Sequence, residues 1–429
     1  MTTVKAVRGT RDLLPPETEL WNRIEATARK IFARYNFGEI RTPIFEDTGL
    51  FARSVGEETD IVSKEMYTWE DRARAQSEKA QSLTLRPENT AGVVRAYIEH
   101  KLGESGQLQK LYYIGPQFRR ERPQKGRYRQ FWQIGAEVIG PPFAGSESPL
   151  RDAEVLEMLA TLLDELGITG WALELNSVGS AADRERYNNV LRAALAEVAP
   201  KMCADCQRRA VTNPLRVLDC KVPEDQPIIA ALPKISDSLD QESKDHFVAV
   251  TAALDAAGVS YKLNPRLVRG LDYYTRTTFE FTHGGLGAQN ALLGGGRYDG
   301  LSEAIGGPKA PGIGFAMGLD RLVLTLQSTE LDQKSAARPA HAYIAPLGEK
   351  LNAAALVLAR ELRRAGLSIE LGDGSFRLKK SFEAADKVAR RIVILGEDEV
   401  QSGILTVKDF ATGTQSKVPR TELVSFLAE

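Results

Sequence analysis

Apolar residues recur at helical spacing from Leu20 to Tyr35 (Leu20, Ile24, Thr27, Ile31), and Gly38 closes that helix. Ile40, Pro43 and Ile44 in "NFGEIRTPIFE" then predict an extended edge. "WEDRARAQSEKAQS" has no period and predicts a loop, while "LTLRPENTAGVVRAYIEH" predicts a short strand turning into a helix near Pro87, with Glu88 in the first turn. Residues 111–139 alternate with period two, which predicts an antiparallel hairpin around the loop "RPQKGR". From about 179 to 258 the pattern is wholly helical and predicts an insertion. Strand alternation is expected to resume over "RLVRGLDYYTRTTFEFT" and "LLGGGRYDG", and "GIGFAMGLDRLVLTL" predicts a strand running into a helix. Residues 327–340 are polar and aperiodic and predict a linker. Beyond them "AYIAPL", "LSIELGD" and "RIVILGE" alternate with helical segments, which predicts a small parallel α/β domain.

Composition changes this picture little. With 429 residues, 43% hydrophobic and 26% charged, the chain has the makeup of a globular protein of about two to three domains. No apolar run approaches the ~18 residues of a membrane span, and the polar start "MTTVKAVRGT" does not read as a signal peptide, so a cytoplasmic protein is expected. A formal net charge of −1 gives no global basic field, so nucleic acid would have to be met by local patches. Cys203 and Cys206 form one close pair and Cys220 stands alone. With no second pair and no histidine cluster after "CADC", the expectation is free thiols on a helical segment and no structural metal.

The basic stretch "GPQFRRERPQKGRYRQFWQIGAE" is the most informative. A period of two puts Arg129, Phe131, Gln133, Gly135 and Glu137 on one strand face and Trp132, Ile134, Ala136 and Val138 on the other, with Gln117, Arg119 and Glu121 in phase on the preceding strand. A solvated sheet surface would look similar. An exposed Phe131, and a Gly135 that weakens its strand, point instead to a close ligand or backbone. In "GIGFAMGLDR", small residues precede Arg321 in a helical first turn, where a guanidinium can meet a phosphate or stack on a base; a tightly packed glycine strand is the plain alternative.

These residues resemble the class II aminoacyl-tRNA synthetases: "FRRE" at Phe118–Glu121 with the later Phe131, "GLDR" at Gly318–Arg321, and "GEIRTPIFE" with Pro43 are similar to that class's three motifs. "RGLDYY", "TLRPENTA" and "RPQKGRYRQFWQIGAE" resemble the histidyl-tRNA synthetase family within it, and the likeness runs through essentially the whole chain. It implies a catalytic domain over residues 1–326, an α+β fold on a mostly antiparallel sheet with a helical insertion at about 179–258, then the linker and an anticodon-binding α/β domain over 341–429. It also implies a homodimer formed through the Pro43 region, without membrane association.

The implied reaction joins L-histidine to ATP, with Mg2+, as histidyl-adenylate and then transfers histidine to the 3′ end of its tRNA, tRNA(His). Such chemistry needs positioning and charge stabilisation rather than a protein nucleophile. By the resemblance, Arg119 and Arg269 are catalytic cations at the α-phosphate. Phe131 stacks on adenine, Glu121 borders it, and Arg321 is the second ATP arginine. Glu88, Asn89 and Thr90 form the loop that receives the α-ammonium, with Gln133 assisting, and Glu137 and Tyr274 hold the imidazole nitrogens beside Tyr273. An imidazole offers one donor and one acceptor, which a carboxylate and a phenol can satisfy. Arg122, Lys125 and Arg127 of the hairpin loop, and Arg377, Lys379 and Lys380 of "FRLKK", are the expected tRNA contacts, mainly to phosphate. Plainer roles stand beside these: Glu88 as a helix-dipole acid, the tyrosines as sheet residues, Arg269 as a partner of Asp272, and "FRLKK" as solvated helix charge. A competing function is the synthetase-like regulatory subunit of ATP phosphoribosyltransferase, which typically lacks the "RGLDYY" motif and the C-terminal domain.

Overall fold

The computed structural model describes residues 3–56, 59–71, 80–124, 126–286, 290–328 and 340–428, and the chain divides into two compact units, Met1–Lys334 and Ser335–Glu429. The first unit opens with helix α1 (Glu17–Arg34), which buries Leu20, Ile24, Ala28 and Ile31 along one stripe. Short strands β1 (Gly38–Glu39) and β2 (Phe45–Asp47) follow, then α2 (Thr48–Val55), capped by the Asp47 carboxylate on the Gly49 N–H.

Only the two ends of the segment expected as a loop are strand: Trp69–Asp71 and Gln81–Ser82 extend the antiparallel pair β3 (Tyr67–Asp71) and β4 (Gln81–Leu85), which joins β2 in a three-stranded sheet. Thr68–Asp71, Gln81 and Ser82 are all exposed, so no hydropathy pattern marks these strand ends; residues 72–79, the middle of the expected loop, lie outside the described residues. Helix α3 (Thr90–Glu99) follows, then the hairpin β5 (Gln109–Phe118) and β6 (Gln130–Ile139), helix α4 (Pro149–Glu165) and β7 (Trp171–Ser177). Ser148 caps α4 and Pro149 occupies its first turn.

Between β7 and the next strand the described chain is helical: α5 (Ala181–Val198), α6 (Ala204–Thr212), α7 (Gln226–Ala231) and α8 (Gln241–Ala257), with short 3-10 turns between them. Ser180 and Asp183 close a reciprocal capping box at α5. The three cysteines of this region are free thiols, yet they are not dispersed. Cys203, Cys206 and Cys220 converge with Asp225, their ligand atoms all within 4.8 Å of one another.

β8 (Tyr261–Leu263), β9 (Thr275–His283), β10 (Ala291–Arg297), α9 (Leu301–Ala304), β11 (Gly312–Gly318) and α10 (Leu319–Ser328) complete the unit. "RLVRGLDYY" is not strand. Its alternation imitates one, but Val268, Leu271, Tyr273 and Tyr274 pack in a cluster with residues of the helical region rather than along a sheet. The main sheet has the order β1-β5-β6-β11-β10-β9-β7-β8, antiparallel except where β1 meets β5 and β7 meets β8. Its core face packs Ile134, Ala136, Val138, Phe279 and Phe315 against α1, α4, α8 and α10. Arg297 is fully buried beneath it, donating to Asp152 and to the Ser146 carbonyl (2.8 Å), while His246 contacts the same carboxylate (2.9 Å).

The second unit contains β12 (Ala340–Pro346), α11 (Asn352–Arg364), β13 (Ile369–Leu371), α12 (Leu378–Val388), β14 (Ala389–Leu395), α13 (Glu397–Ser402), β15 (Ile404–Asp409), β16 (Gln415–Pro419) and α14 (Leu423–Ala428). Its sheet, β13-β12-β14-β15-β16, is parallel only in its first three strands. The expectation of a parallel sheet missed the antiparallel β15–β16 hairpin, whose turn around Gly413 needs no crossover helix.

Candidate active site

The polar face of the β5–β6 hairpin opens onto a cavity of about 930 Å³. Register pairs Gln117 with Phe131 and Gly115 with Gln133, so the alternation expected for β6 holds through the sheet. Arg119 and Glu121 lie just past the end of β5. Glu88, Thr90, Arg119, Glu121, Arg127, Phe131, Gln133, Arg269, Tyr273, Tyr274 and Arg321 all line this one cavity.

Its cations are held in place. The Arg119 guanidinium donates to the Pro87 carbonyl (2.9 Å) and lies 5.3 Å from the Phe131 ring centre. Glu121 pairs with Arg127 (3.2 Å) and more loosely with Arg119 (3.7 Å). Arg127, expected among the outward tRNA contacts, therefore faces the cavity, whereas Arg122 is exposed; Lys125 lies outside the described residues. Arg321 donates to the Ala291 carbonyl (2.7 Å). Burial, and then the nearby Arg127 and Arg269 charges, pull its guanidinium below the ordinary value. Guanidinium groups gathered in a concave site repel one another, and a bound polyanion relieves that repulsion.

Arg269 ion-pairs with Glu280 of β9, not with Asp272, which accepts from Asn213 (3.2 Å). The guanidinium lies flat on β10 at Gly294, where an added Cβ would sit 2.5 Å from its Cζ and both terminal nitrogens. Sequence reasoning missed Glu280, although it lies in phase with Thr278 and Arg276 on an alternating strand. Of the two close neighbours expected at Gly135, a ligand or a backbone, it is the protein that stands there: a Cβ would meet the Tyr113 ring at 2.3 Å and the Phe315 carbonyl at 2.7 Å.

At the other end the groups are mostly uncharged donors and acceptors. Glu88 is buried and caps α3, accepting from the Thr90 and Ala91 N–H groups (2.7 and 3.0 Å); burial raises its carboxyl despite those bonds. Its helix-capping role and its place at the cavity coexist. The Gln133 Oε1 atom is buried and finds no hydrogen-bond partner among the described residues. Tyr273 and Tyr274 pack ring to ring at 4.7 Å.

Two expected contacts lie off the cavity surface. Asn89 turns toward Thr42, whose hydroxyl donates to it (2.7 Å). Glu137 sits one side chain behind the wall, its two oxygens accepting from the Thr90 (2.7 Å) and Tyr298 (2.6 Å) hydroxyls. Burial outweighs those hydrogen bonds, and its carboxyl is pushed up to about 8. In the second unit, Arg377, Lys379 and Lys380 are exposed at the start of α12, with the Lys380 ammonium 3.7 Å from the Phe376 ring centre.

The sequence matches the family described as "Histidyl-tRNA synthetase" over residues 9–322 and the "Anticodon binding domain" over residues 341–429. It is 72% identical to the histidine–tRNA ligase of Koribacter versatilis, covering 99% of this chain and 96% of that one, and 57% identical to that of Solibacter usitatus, covering 99% of both. Among solved structures it is similar to the apo histidyl-tRNA synthetase of S. aureus, with 37% identity, a TM-score of 0.80 and complete coverage of both chains. An ATP phosphoribosyltransferase regulatory subunit/histidyl-tRNA synthetase from Bacillus halodurans shares the fold at 19% identity, with a TM-score of 0.65 over 92% of this chain.

Proposed function

Since this chain belongs to the histidyl-tRNA synthetase family and ligates histidine to tRNA at the expense of ATP, we propose that this cavity is divided, with guanidinium groups at one end taking ATP and polar groups at the other taking histidine. The observation that carries this is the convergence of Arg119, Arg127, Arg269 and Arg321 on the same cavity as Glu88, Thr90, Gln133, Tyr273 and Tyr274. Histidine's carboxylate oxygen attacks the α-phosphorus, the bond to the bridging oxygen breaks, and pyrophosphate leaves. Arg119 and Arg269 neutralise charge as it builds on the α-phosphate, Phe131 stacks on adenine beside Glu121, and Arg321 meets the distal phosphates or the base. A ribose hydroxyl of the tRNA's terminal nucleotide then attacks the adenylate carbonyl, and AMP departs.

Gln133 Oε1, unpaired in a buried position, suits a donated ammonium proton, with Glu88 supplying negative charge. Asn89 acts by holding the loop through Thr42. Glu137 is proposed to act on the imidazole when Thr90 or Tyr298 yields one of its oxygens. Magnesium is proposed to arrive on the ATP phosphates, because the carboxylates beside the cations, Glu121 and Glu280, are already paired with arginine. The test is amino-acid-dependent exchange of pyrophosphate into ATP by the purified chain. Exchange driven by histidine is expected, and exchange driven by another amino acid would overturn the pocket assignment.

The anticodon-binding unit offers Arg377, Lys379 and Lys380 to tRNA, and Arg122 with Lys125 is proposed to meet the acceptor end. A homodimer is proposed through the face bearing Pro43, Ile44, Phe45 and Trp69, apolar residues exposed on neighbouring elements. Sedimentation of a fully active monomer would refute it. Among the described residues no helix is long and apolar enough to cross a membrane, in keeping with the cytoplasmic site proposed for this enzyme.

A further inference from the structure

The cysteines and Asp225 of the helical insertion play no part in the chemistry above, yet the fold assembles them with care. Cys203 is the N-cap of α6 and Cys206 lies in its first turn. Cys220 ends the 3-10 turn Pro214–Asp219, and Asp225 immediately precedes α7. Cys206, Cys220 and Asp225 are buried. The Cys203 and Cys220 sulfurs are 3.8 Å apart, and Cys220 Sγ is 3.2 Å from Asp225 Oδ2. A zinc–sulfur bond of about 2.3 Å in tetrahedral geometry implies sulfur–sulfur edges of about 3.8 Å. The pair is thus spaced as two ligands of one ion, and is too far apart for a formed disulfide.

We propose that Cys203, Cys206, Cys220 and Asp225 form a closed four-ligand site for a structural zinc ion, which clasps the helical insertion at the rim of the cavity. Three thiols and one carboxylate fill a tetrahedral shell and leave no position for substrate, which is the form of a structural site. Thiolate ligands select zinc over the harder magnesium. Binding replaces up to three thiol protons, one per cysteine, by one divalent ion. Surrounding groups orient the ligands: the Val222 N–H points at Cys220 Sγ (3.4 Å), and the Cys203 N–H donates to Asp225 Oδ1 (3.1 Å). The expectation of no structural metal rested on the missing second cysteine pair, and the fold supplies instead a lone cysteine and a carboxylate from farther along the chain.

The site also explains a contact across the cavity mouth. The segment between Cys206 and Cys220 carries Arg209 and Arg216, which reach Asp60 on the facing rim (3.2 and 3.9 Å). Closing that segment with zinc fixes where those arginines stand.

Elemental analysis of the full-length protein, purified under reducing conditions from zinc-supplemented cells, tests the proposal. About one zinc per chain is expected, and chelator-treated protein given Co2+ should show thiolate-to-cobalt charge transfer with the strong visible bands of a tetrahedral ion. Asp225→Ala, which retains three thiolates, should keep the charge-transfer band while losing zinc to a competing chelator at least about tenfold more readily. Cys206→Ser should weaken both signals, and if it fails to fold, the wild-type measurement still decides. Zinc below about a tenth per chain with no cobalt–thiolate band would overturn the proposal, as would a Cys203–Cys220 disulfide in the freshly isolated protein.

Discussion

Gly294→Ala is the substitution that separates the position of Arg269 from its charge. The new methyl would stand 2.5 Å from three guanidinium atoms, where non-bonded contacts need about 3.5–4 Å, so the group must move by about 1 Å or more. The strand itself should tolerate the change. Gly294 does not have a left-handed φ, and alanine in a strand interior is worth about 0.5–1 kcal/mol over glycine before the clash is counted. The guanidinium is tethered on its other side by Glu280, so the displacement cannot be absorbed without losing either that pair or the flat seat on β10.

A misplacement of about 1 Å near a reacting centre costs on the order of a hundredfold, or about 2.7 kcal/mol of transition-state stabilisation. Histidine-dependent pyrophosphate exchange should therefore fall by about that factor in kcat, while the melting temperature stays within a few degrees of wild type, ~1 kcal/mol being worth only a few degrees at this size. Arg269→Lys keeps a charge but not the planar fork, and should fall similarly. Exchange by Gly294→Ala within about threefold of wild type, in a protein that melts normally, would show that the seat of Arg269 does not matter to catalysis.

Glu137 sets a pH test. Its carboxyl is raised from the ordinary 4.5 to about 8, so between those values the folded chain holds a proton that the unfolded chain releases, and stability falls as pH rises through that window. The slope is about 1.4 kcal/mol per pH unit, and Glu137→Gln, which cannot titrate, should gain on wild type in melting temperature from pH 5 to pH 8; a constant difference would refute a neutral Glu137. Asp152→Ala should lose about 3–5 kcal/mol in denaturant melts of the first unit, because it removes the fully buried carboxylate paired with Arg297 and leaves only the partly exposed Asp299 (3.0 Å); a loss under about 1 kcal/mol would mean that Asp299 alone satisfies Arg297. Replacing Arg377, Lys379 and Lys380 together by alanine should raise the KM for tRNA severalfold and flatten its salt dependence while leaving pyrophosphate exchange unchanged. Equal loss in both assays would place these residues in the fold rather than at the tRNA.

Where a residue's partner lay on an adjacent strand, the sequence was readable. In β6 one alternate set is core and the other is polar, so period two alone places Phe131 and Gln133 on a common face, and the cavity is found there. The same rule failed at Leu267–Tyr274, because a chain that lifts Arg269 and two tyrosines out of the sheet also alternates, with a helical insertion in place of a sheet core. The glycines show the limit most directly. A small residue announces a close neighbour without saying which: Gly294 makes room for the Arg269 guanidinium, and Gly135 for a tyrosine on the next strand.

Depth is the other quantity that motif matching does not supply. Glu137 falls in register with Gln133 and carries the right functional group for an imidazole, yet it lies behind Thr90 with both oxygens occupied and its proton largely retained at neutral pH. A neutral, fully bonded carboxyl is a poor direct ligand but a good latent one. When histidine enters, an imidazole N–H can replace the Thr90 or Tyr298 hydroxyl at one oxygen, and the charge that burial suppresses can then be stabilised by the substrate. On this reading histidine uptake and Glu137 ionisation are linked, so the histidine affinity of wild type, but not that of Glu137→Gln, should vary with pH around 8.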